Sequence, residues 1–186
     1  MQEKYIKKSR ALAYVIFFLY FCSRYLYTRM KRIGIMLLLT LCGVWQIQAS
    51  LPEVTLQDID GNSVNIAGLG KTGHPVILSF FATWCKPCMQ ELEAIDEVYP
   101  EWQDEYGVTV YVVSTDRAQD AHKVAPLVRG NGWDFRVLLD PNGTLQRALN
   151  VKNVPHLFVI DSKGEIVYQH NAYLPGDEEK IPGYLH

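Results

Sequence analysis

The pattern of apolar and polar residues predicts alternating strands and helices in the middle of the chain. Residues 76–81 form a nearly unbroken apolar run, which is typical of a central parallel strand buried on both faces. Residues 108–113 predict a second buried strand. Between them, apolar residues recur at steps alternating four and three, which predicts an amphipathic helix. Its apolar stripe consists of Cys88, Leu92, Ile95, Tyr99, Trp102 and Tyr106.

The opposite face of this predicted helix is acidic. Pro100 is expected to kink or restart the helix, because proline lacks the N–H that a helix interior needs. Gly107 is expected to end it. The residues assigned to the acidic face are Glu91, Glu93, Asp96, Glu97, Glu101 and Asp104.

Turn signals predict an antiparallel hairpin on each side of this region. Asp60-Gly61-Asn62 is a turn of the Asp-Gly type within 51–66, and Ser162-Lys163-Gly164 separates two short strands within 156–170. Residues 67–73 are glycine-rich, which predicts a loop or a single helical turn.

The part of the chain between the second buried strand and the last hairpin predicts three further elements. A helix is expected at 117–129, weakened by Pro126, followed by a strand at 135–139. A short helix is expected at 144–149 after the turn at 140–143. Strands that alternate with helices imply a parallel core with right-handed crossovers, and the last hairpin makes the sheet mixed. The predicted class is α/β.

The first 49 residues have the features of a targeting segment. Met30-Lys31-Arg32 is a compact positive region, 33–44 is apolar, and 46–49 is a polar stretch that ends in a small residue. This pattern predicts a signal peptide that starts at Met30, with 1–29 an upstream extension of the reading frame. The alternative is an uncleaved membrane anchor, and a lipidated Cys42 fits poorly. All three interpretations place 50–186 outside the cytoplasm, in a periplasm or an equivalent compartment.

Charge and cysteine content narrow the function further. The net charge of −2, without a basic stripe beyond residue 50, argues against a nucleic-acid binder. Of the four cysteines, Cys22 and Cys42 fall in the N-terminal apolar runs, so residues 50–186 retain only Cys85 and Cys88. Such a domain is not a disulfide-stapled scaffold, and its stability must come from a packed core.

Cys85 and Cys88 lie where the first buried strand ends and the amphipathic helix begins. The free N–H groups at a helix N-terminus favour an anion, and the pKa of such cysteines falls to about 3.5–7.5 from about 8.5. Lys86 adds a positive charge, and Pro87 is tolerated in a first helical turn. Cys88 returns to the same helix face and can attack a mixed disulfide on Cys85.

Other interpretations of two cysteines at this spacing are zinc ligands, a structural disulfide or buried thiols. A structural zinc site usually needs four ligands, and no second pair follows. A disulfide across so few residues constrains the unfolded chain little. Redox chemistry fits the strand–helix context best.

Trp84-Cys85-Lys86-Pro87-Cys88 at a strand–helix junction, followed by Val154-Pro155 before a later strand, resembles the thioredoxin superfamily. The N-terminal hairpin, the insert at 117–139 and the secretory N-terminus resemble more specifically the TlpA/ResA-like extracytoplasmic thiol–disulfide oxidoreductases. The resemblance implies a thioredoxin-like three-layer sandwich, with a mixed central sheet and helices on both faces.

The resemblance also implies roles for individual residues. Pro155 is expected to be a cis-proline beside the cysteines, so that Val154 offers its backbone to a substrate strand; an ordinary trans-proline is the alternative. Glu91 is expected to transfer a proton to or from Cys88, or else to be a solvated surface acid. Trp84 is expected to pack beside the disulfide. His156 either tunes the cysteines or is a half-buried strand residue.

Some positions depart from the family pattern. Ser79 stands where thioredoxin proper has a buried aspartate, and Glu93 stands where the family often has proline. Val154 replaces the commoner threonine. Pro182-Gly183 interrupts the terminal helix, so one face of the sheet is expected to be less well covered.

The sequence therefore predicts an exported enzyme that exchanges disulfides with protein substrates, with no cofactor beyond its own disulfide and no metal. The resemblance favours the reductive direction, as in cytochrome c maturation or redox housekeeping, with an upstream membrane or periplasmic electron donor and a membrane contact only through an uncleaved N-terminus. Two alternatives remain: a thiol peroxidase on the same fold, and a copper or zinc carrier with Met89 or His156 as a third ligand.

Overall fold

The computed structural model describes residues 50–185, which form seven strands, four α-helices and two 3₁₀ helices. The strands are β1 Thr55–Asp58, β2 Ser63–Asn65, β3 Val76–Phe81, β4 Thr109–Ser114, β5 Arg136–Leu139, β6 His156–Ile160 and β7 Ile166–Asn171. The α-helices are α1 Ile66–Leu69, α2 Lys86–Tyr106, α3 Val124–Asn131 and α4 Thr144–Ala148. The 3₁₀ helices are Ala121–Lys123 and Glu178–Tyr184.

The strands form one mixed sheet in the order β2-β1-β5-β4-β3-β6-β7. The three strands β3, β4 and β5 are parallel, while β6 runs antiparallel to β3 and β1 antiparallel to β5. Every residue of β3 is buried, as its apolar run predicts. The mixed α/β sheet and both hairpins are confirmed.

Helices cover both faces of the sheet, so the predicted three-layer sandwich is confirmed. On one face α2 and α3 pack against inward residues such as Ile77 and Val112. On the other face α1 and α4 pack against residues such as Leu78 and Val113. The alternation of side chains along each strand separates the two cores.

The long helix α2 differs from the prediction in two ways. It continues through Pro100, whose side chain is exposed, because Tyr99 and Trp102 on either side are buried in the core and hold both turns to the sheet. The predicted restart is therefore wrong. The assignment of Glu91 to the acidic, solvent-facing side is also wrong, since Glu91 is buried. Gly107 ends the helix in a left-handed conformation, as predicted.

The helix predicted at 117–129 begins later than expected. A 3₁₀ turn precedes α3, and Pro126 lies in the first turn of α3. An N–H in the first turn has no hydrogen-bond partner within the helix, so proline breaks no helical hydrogen bond there. Proline therefore sets the start of this helix instead of weakening its middle.

The C-terminal tail covers the sheet face on which α2 lies, contrary to the expectation of a less well covered face. The tail forms the 3₁₀ helix Glu178–Tyr184 through Pro182, and its Ile181 and Leu185 join the core of α2. Pro182 and Gly183 are tolerated in this 3₁₀ helix because only Ile181 and Leu185 have to face the core.

The predictions for residues 1–49, namely the signal peptide or anchor and the start at Met30, lie outside the described residues. Within residues 50–185, no helix combines the length and apolarity that crossing a bilayer requires.

Candidate active site

Cys85 is the N-cap residue of α2, as the sequence predicts. The backbone N–H of Cys88 donates a hydrogen bond to Cys85 Sγ over 3.3 Å. Lys86 and Pro87 occupy the first turn and are exposed. A thiolate at Cys85 would thus receive a backbone hydrogen bond and lie at the positive end of the helix dipole, and both interactions lower the pKa of a thiol.

The two cysteines form a disulfide in this structure, and they differ in exposure. Cys85 retains 4% of its surface and Cys88 none, so Cys85 is less open than the sequence suggests. An incoming thiolate can nevertheless approach only Cys85, because Cys88 is sealed inside the core. The asymmetry assigns the attacked sulfur to Cys85 and the internal one to Cys88.

Asp116, just beyond β4, fixes the loop that leads into Cys85. Its carboxylate accepts hydrogen bonds from the Thr83 N–H at 2.9 Å, the Thr83 hydroxyl at 2.8 Å and the Ser114 hydroxyl at 2.9 Å. Asp116 is buried, so these contacts replace water around its carboxylate. The sequence analysis gave Asp116 no role, although a polar residue just beyond one parallel strand can reach the loop that follows its neighbour.

The Val154–Pro155 peptide bond is cis, which confirms the prediction. Pro155 is buried, and its carbonyl accepts a hydrogen bond from the Ala172 N–H over 3.0 Å. Val154 packs against the core that contains both cysteines. Within residues 50–185, the backbone N–H and C=O of Val154 have no backbone partner. Both groups are available to an extended peptide.

Trp84 precedes Cys85 directly and is not buried in the core, since 75% of its surface is exposed. It lines an open cleft with Thr83 and Leu127. The cleft also contains Asp120 and Lys123, which are joined by a salt bridge of 2.6 Å. The indole therefore presents a large apolar surface beside Cys85.

Glu91 lies one turn after Cys88 on the buried face of α2. Its side chain is 1% exposed. The Ser79 hydroxyl donates to Oε2 over 2.8 Å, and His170 Nε2 lies 2.6 Å from Oε1. The alternative of a solvated surface acid is therefore wrong. Ser79, at the position where thioredoxin proper has a buried aspartate, instead donates a hydrogen bond to a carboxylate that comes from the helix.

His170 is a site residue that sequence reasoning missed. The register pairs Ser79 with Leu157 and Leu157 with His170, so the three side chains form a row on the sheet face under α2. The hydroxyl of Tyr168 lies 3.3 Å from His170 Nδ1. Alternation along β7 was the available signal, because it places residues 168 and 170 on one face.

His156 lies on the opposite face of the sheet, stacked on Phe158 with ring centroids 4.6 Å apart. Burial lowers the pKa of His156, and a hydrogen bond with Gln169 opposes this effect. Its Nε2 is buried without a partner in the described residues. This position favours the half-buried strand residue over a role beside the cysteines. Within residues 50–185, no three His, Cys, Asp or Glu side chains are grouped as metal ligands.

A disulfide at a strand–helix junction, a cis-proline and a mixed sheet covered on both faces define a thioredoxin-like dithiol protein. The family model of the AhpC/TSA family matches residues 47–169, and the chain belongs to this family.

Individual relatives agree with this assignment. The chain is 30% identical over 142 residues to the thiol-disulfide oxidoreductase ResA of Bacillus thuringiensis, an alignment that covers 75% of this chain and 77% of that protein. A thioredoxin-like protein of Porphyromonas gingivalis is 50% identical, with a TM-score of 0.64 over 72% of this chain and 88% of that one. A putative thiol:disulfide interchange protein DsbE of Chlorobium tepidum is 27% identical, with a TM-score of 0.64 over 74% of this chain and 93% of that one.

These relatives and the Cys85–Cys88 pair identify the chain as an enzyme, a thiol–disulfide oxidoreductase similar to ResA and DsbE. The predicted resemblance is confirmed.

Proposed function

We propose that this enzyme reduces disulfides of protein substrates outside the cytoplasm, using Cys85 as nucleophile and Cys88 as resolving residue. The observation that carries the proposal is the asymmetry of the pair: Cys85, the N-cap residue of α2, keeps 4% of its surface exposed, while Cys88 keeps none. The similarity to ResA and DsbE supports the disulfide-exchange chemistry. The compartment and the reductive direction come from the family resemblance of the sequence and its N-terminal segment. The redox group is the disulfide itself, and the proposal invokes no further cofactor and no metal.

In the reductive direction the Cys85 thiolate attacks one sulfur of the substrate disulfide. A bond forms between Cys85 and that sulfur, and the other substrate sulfur leaves as a thiolate. Cys88 then loses its proton and attacks Cys85 Sγ, which closes the Cys85–Cys88 bond and releases the second substrate sulfur. The enzyme dithiol is oxidised by two electrons, the substrate disulfide is reduced to two thiols, and an upstream donor reduces the enzyme again.

The surrounding residues have complementary roles in this proposal. Val154 binds the backbone of an extended substrate segment, since its own N–H and C=O are free of backbone partners in residues 50–185. Pro155 fixes that backbone, and the exposed Trp84 provides apolar contact with the substrate. Lys86 and Pro87 tune Cys85. Glu91 accepts the proton of Cys88.

The test is reduction of insulin disulfides by the full-length protein with dithiothreitol as electron source. We expect Cys85→Ser to abolish the reaction and Cys88→Ser to stop it at a mixed disulfide that is visible by intact mass. A Cys88→Ser variant that consumes peroxide rapidly and forms no mixed disulfide would instead support a thiol peroxidase.

Direction is tested separately by equilibrating the dithiol with glutathione. We expect a reduction potential below that of protein disulfide isomerase, about −180 mV. A value near that of DsbA, about −120 mV, would contradict the reductive direction and leave the exchange chemistry intact.

A further inference from the structure

His170 connects the buried carboxylate of Glu91 to solvent. The distance between His170 Nε2 and Glu91 Oε1 is 2.6 Å, and the His170 side chain is 13% exposed against 1% for Glu91. Among residues 50–185, the other hydrogen-bond partner of the carboxylate is the Ser79 hydroxyl, which is itself fully buried. A proton that reaches Glu91 can therefore pass to water through the imidazole, whereas the path through Ser79 ends in the core.

The second ring nitrogen of His170 also has a partner. Nδ1 lies 3.3 Å from the hydroxyl of Tyr168, which can donate to or accept from the ring. The Tyr168 ring stacks on Tyr184 of the tail with centroids 4.6 Å apart, so the hydroxyl is held in place. Either charge state of the imidazole is accommodated, and imidazole can take up a proton at one nitrogen and release one from the other.

We propose that His170 is a positioning residue that holds the Glu91 carboxylate and carries its proton to and from solvent while Cys88 reacts. This inference rests on the proposed function. When Cys88 attacks the mixed disulfide, its proton goes to Glu91, the Cys85–Cys88 bond forms, and the substrate thiolate leaves. His170 then takes the proton from Glu91 and delivers it to water. When the disulfide is reduced again, the proton returns by the same path to Cys88.

Several titratable or charged groups face His170 from the elements packed around it. Glu91 from α2 and Tyr168 from β7 are in contact with it. Asp177 of the tail interacts with it electrostatically and is held by Lys180 at 2.6 Å. His156 acts on it from the other face of the sheet.

The test uses dithiobis(nitrobenzoate) with the reduced full-length protein, because this disulfide releases coloured thiolate in two steps. The first release follows attack by Cys85, and the second follows attack by Cys88 on the mixed disulfide. His170→Gln keeps an N–H donor for Glu91 but cannot carry a proton. His74→Gln is the matched control, an exposed histidine just before β3.

We expect His170→Gln to slow the second release about tenfold at neutral pH. This is less than the roughly 10²–10⁴-fold effect of a direct general acid or base, because His170 acts through Glu91. The pH dependence of the second release should differ between His170→Gln and the wild type, whereas His74→Gln should keep the wild-type profile. The first release should stay within about twofold, and His74→Gln should change neither step. Glu91→Gln/His170→Gln should be no slower than Glu91→Gln, because His170 acts through Glu91.

An unchanged rate and pH profile of the second release in His170→Gln would overturn the proposal. Independent, multiplying effects of the two substitutions would overturn it as well. Neither result touches the proposed function, which fails separately if Cys85→Ser leaves the first release unchanged. Because the first release requires a formed site, it also reports that each variant is folded.

Discussion

The buried side chain of Asp116 holds Thr83, two residues before the reactive Cys85, and thereby fixes the backbone that leads into this cysteine. Its carboxylate binds the N–H and hydroxyl of Thr83 as well as the hydroxyl of Ser114. Asp116 is the acceptor in all three hydrogen bonds, so its removal leaves these donors without that partner. A buried donor without a partner costs about 1–3 kcal/mol.

Asp116→Ala is therefore expected to lower the free energy of unfolding by about 2–3 kcal/mol, because it leaves the Thr83 N–H without its acceptor. It should also slow the reaction of Cys85 with a small disulfide, since the preceding loop loses its anchor. Chemical denaturation and stopped-flow kinetics measure the two effects. Asp134→Ala, at an exposed position, is the control and should change neither. Equal stability of the two variants would show that Asp116 does not hold the loop.

His156, on the face of the sheet opposite His170, leads to a prediction about how the free energy of unfolding depends on pH. Burial lowers the pKa of His156, so below the unfolded value of about 6.5 the unfolded chain binds a proton more readily than the folded one. The stability that neutral His156 contributes is complete above that value and is lost as the pH falls. In His156→Phe, which retains a ring against Phe158, we expect a smaller drop in the free energy of unfolding between pH 7.5 and pH 5.

Denaturant titrations at several pH values measure this drop, with His74→Gln as a histidine control. A wild-type and a His156→Phe protein with parallel pH curves would contradict the assignment of the lowered pKa to residue 156.

The residues that the sequence could predict are those with a local signature. Cys85 and Cys88 are marked by spacing and by the strand–helix junction, whereas the cis state of Pro155 was implied only by the family resemblance. Glu91 was assigned to the wrong face because helical periodicity counts an acid as polar, whereas here Ser79 and His170 compensate for its burial. The contact between Glu91 and His170 joins residues 79 positions apart. It depends on strand register, which the sequence does not specify.

At the scale of elements, the tail shows that apolar residues in a short 3₁₀ helix can replace a longer terminal helix. Ile181 is buried in the core beside α2, while its neighbour Glu179 is exposed. The tail also carries Tyr184, which stacks on Tyr168 next to His170. The segment thus contributes to the core and to the surroundings of the site.

Ile181→Ala is expected to lower the free energy of unfolding by about 2–5 kcal/mol, since it removes a fully buried side chain and leaves a cavity. Glu179→Ala, two residues earlier, should change stability by less than about 0.5 kcal/mol. Thermal and denaturant unfolding of both variants test this. A small effect at residue 181 would mean that the tail is not part of the cooperative core.

Element boundaries were predictable where the hydrophobic pattern was strong, as at β3, and less so where proline was the main signal. Pro100 was expected to interrupt α2, but an exposed proline between two buried aromatic residues is tolerated within a long packed helix. Pro126 and Pro182 lie in a first helical turn and in a 3₁₀ helix, where the lost N–H matters less. Proline limits hydrogen bonding locally, and packing decides the outcome.

For the whole molecule, the order of elements was predictable but the edges of the sheet were not. Nothing in the local pattern indicates that β1 pairs with β5, which makes the N-terminal hairpin an extension of the sheet beside the insert. The consequence is that β3 lies near the middle of the sheet, between β4 and β6, with Cys85 just beyond its carboxyl end. The reactive pair therefore follows directly after β3, a strand in which every residue is buried.

Because the disulfide is embedded in this core, its redox state is coupled to global stability. A dithiol that folding makes more reducing must have a disulfide form that is more stable towards unfolding than its dithiol form, with about 1.4 kcal/mol for each 30 mV. The proposed reductive direction thus predicts that the oxidised protein unfolds at higher denaturant concentration than the protein in dithiothreitol. The Cys85→Ser/Cys88→Ser variant should show no such dependence on reductant. A more stable reduced form, as in strong oxidants, would reverse the direction of electron flow that we propose.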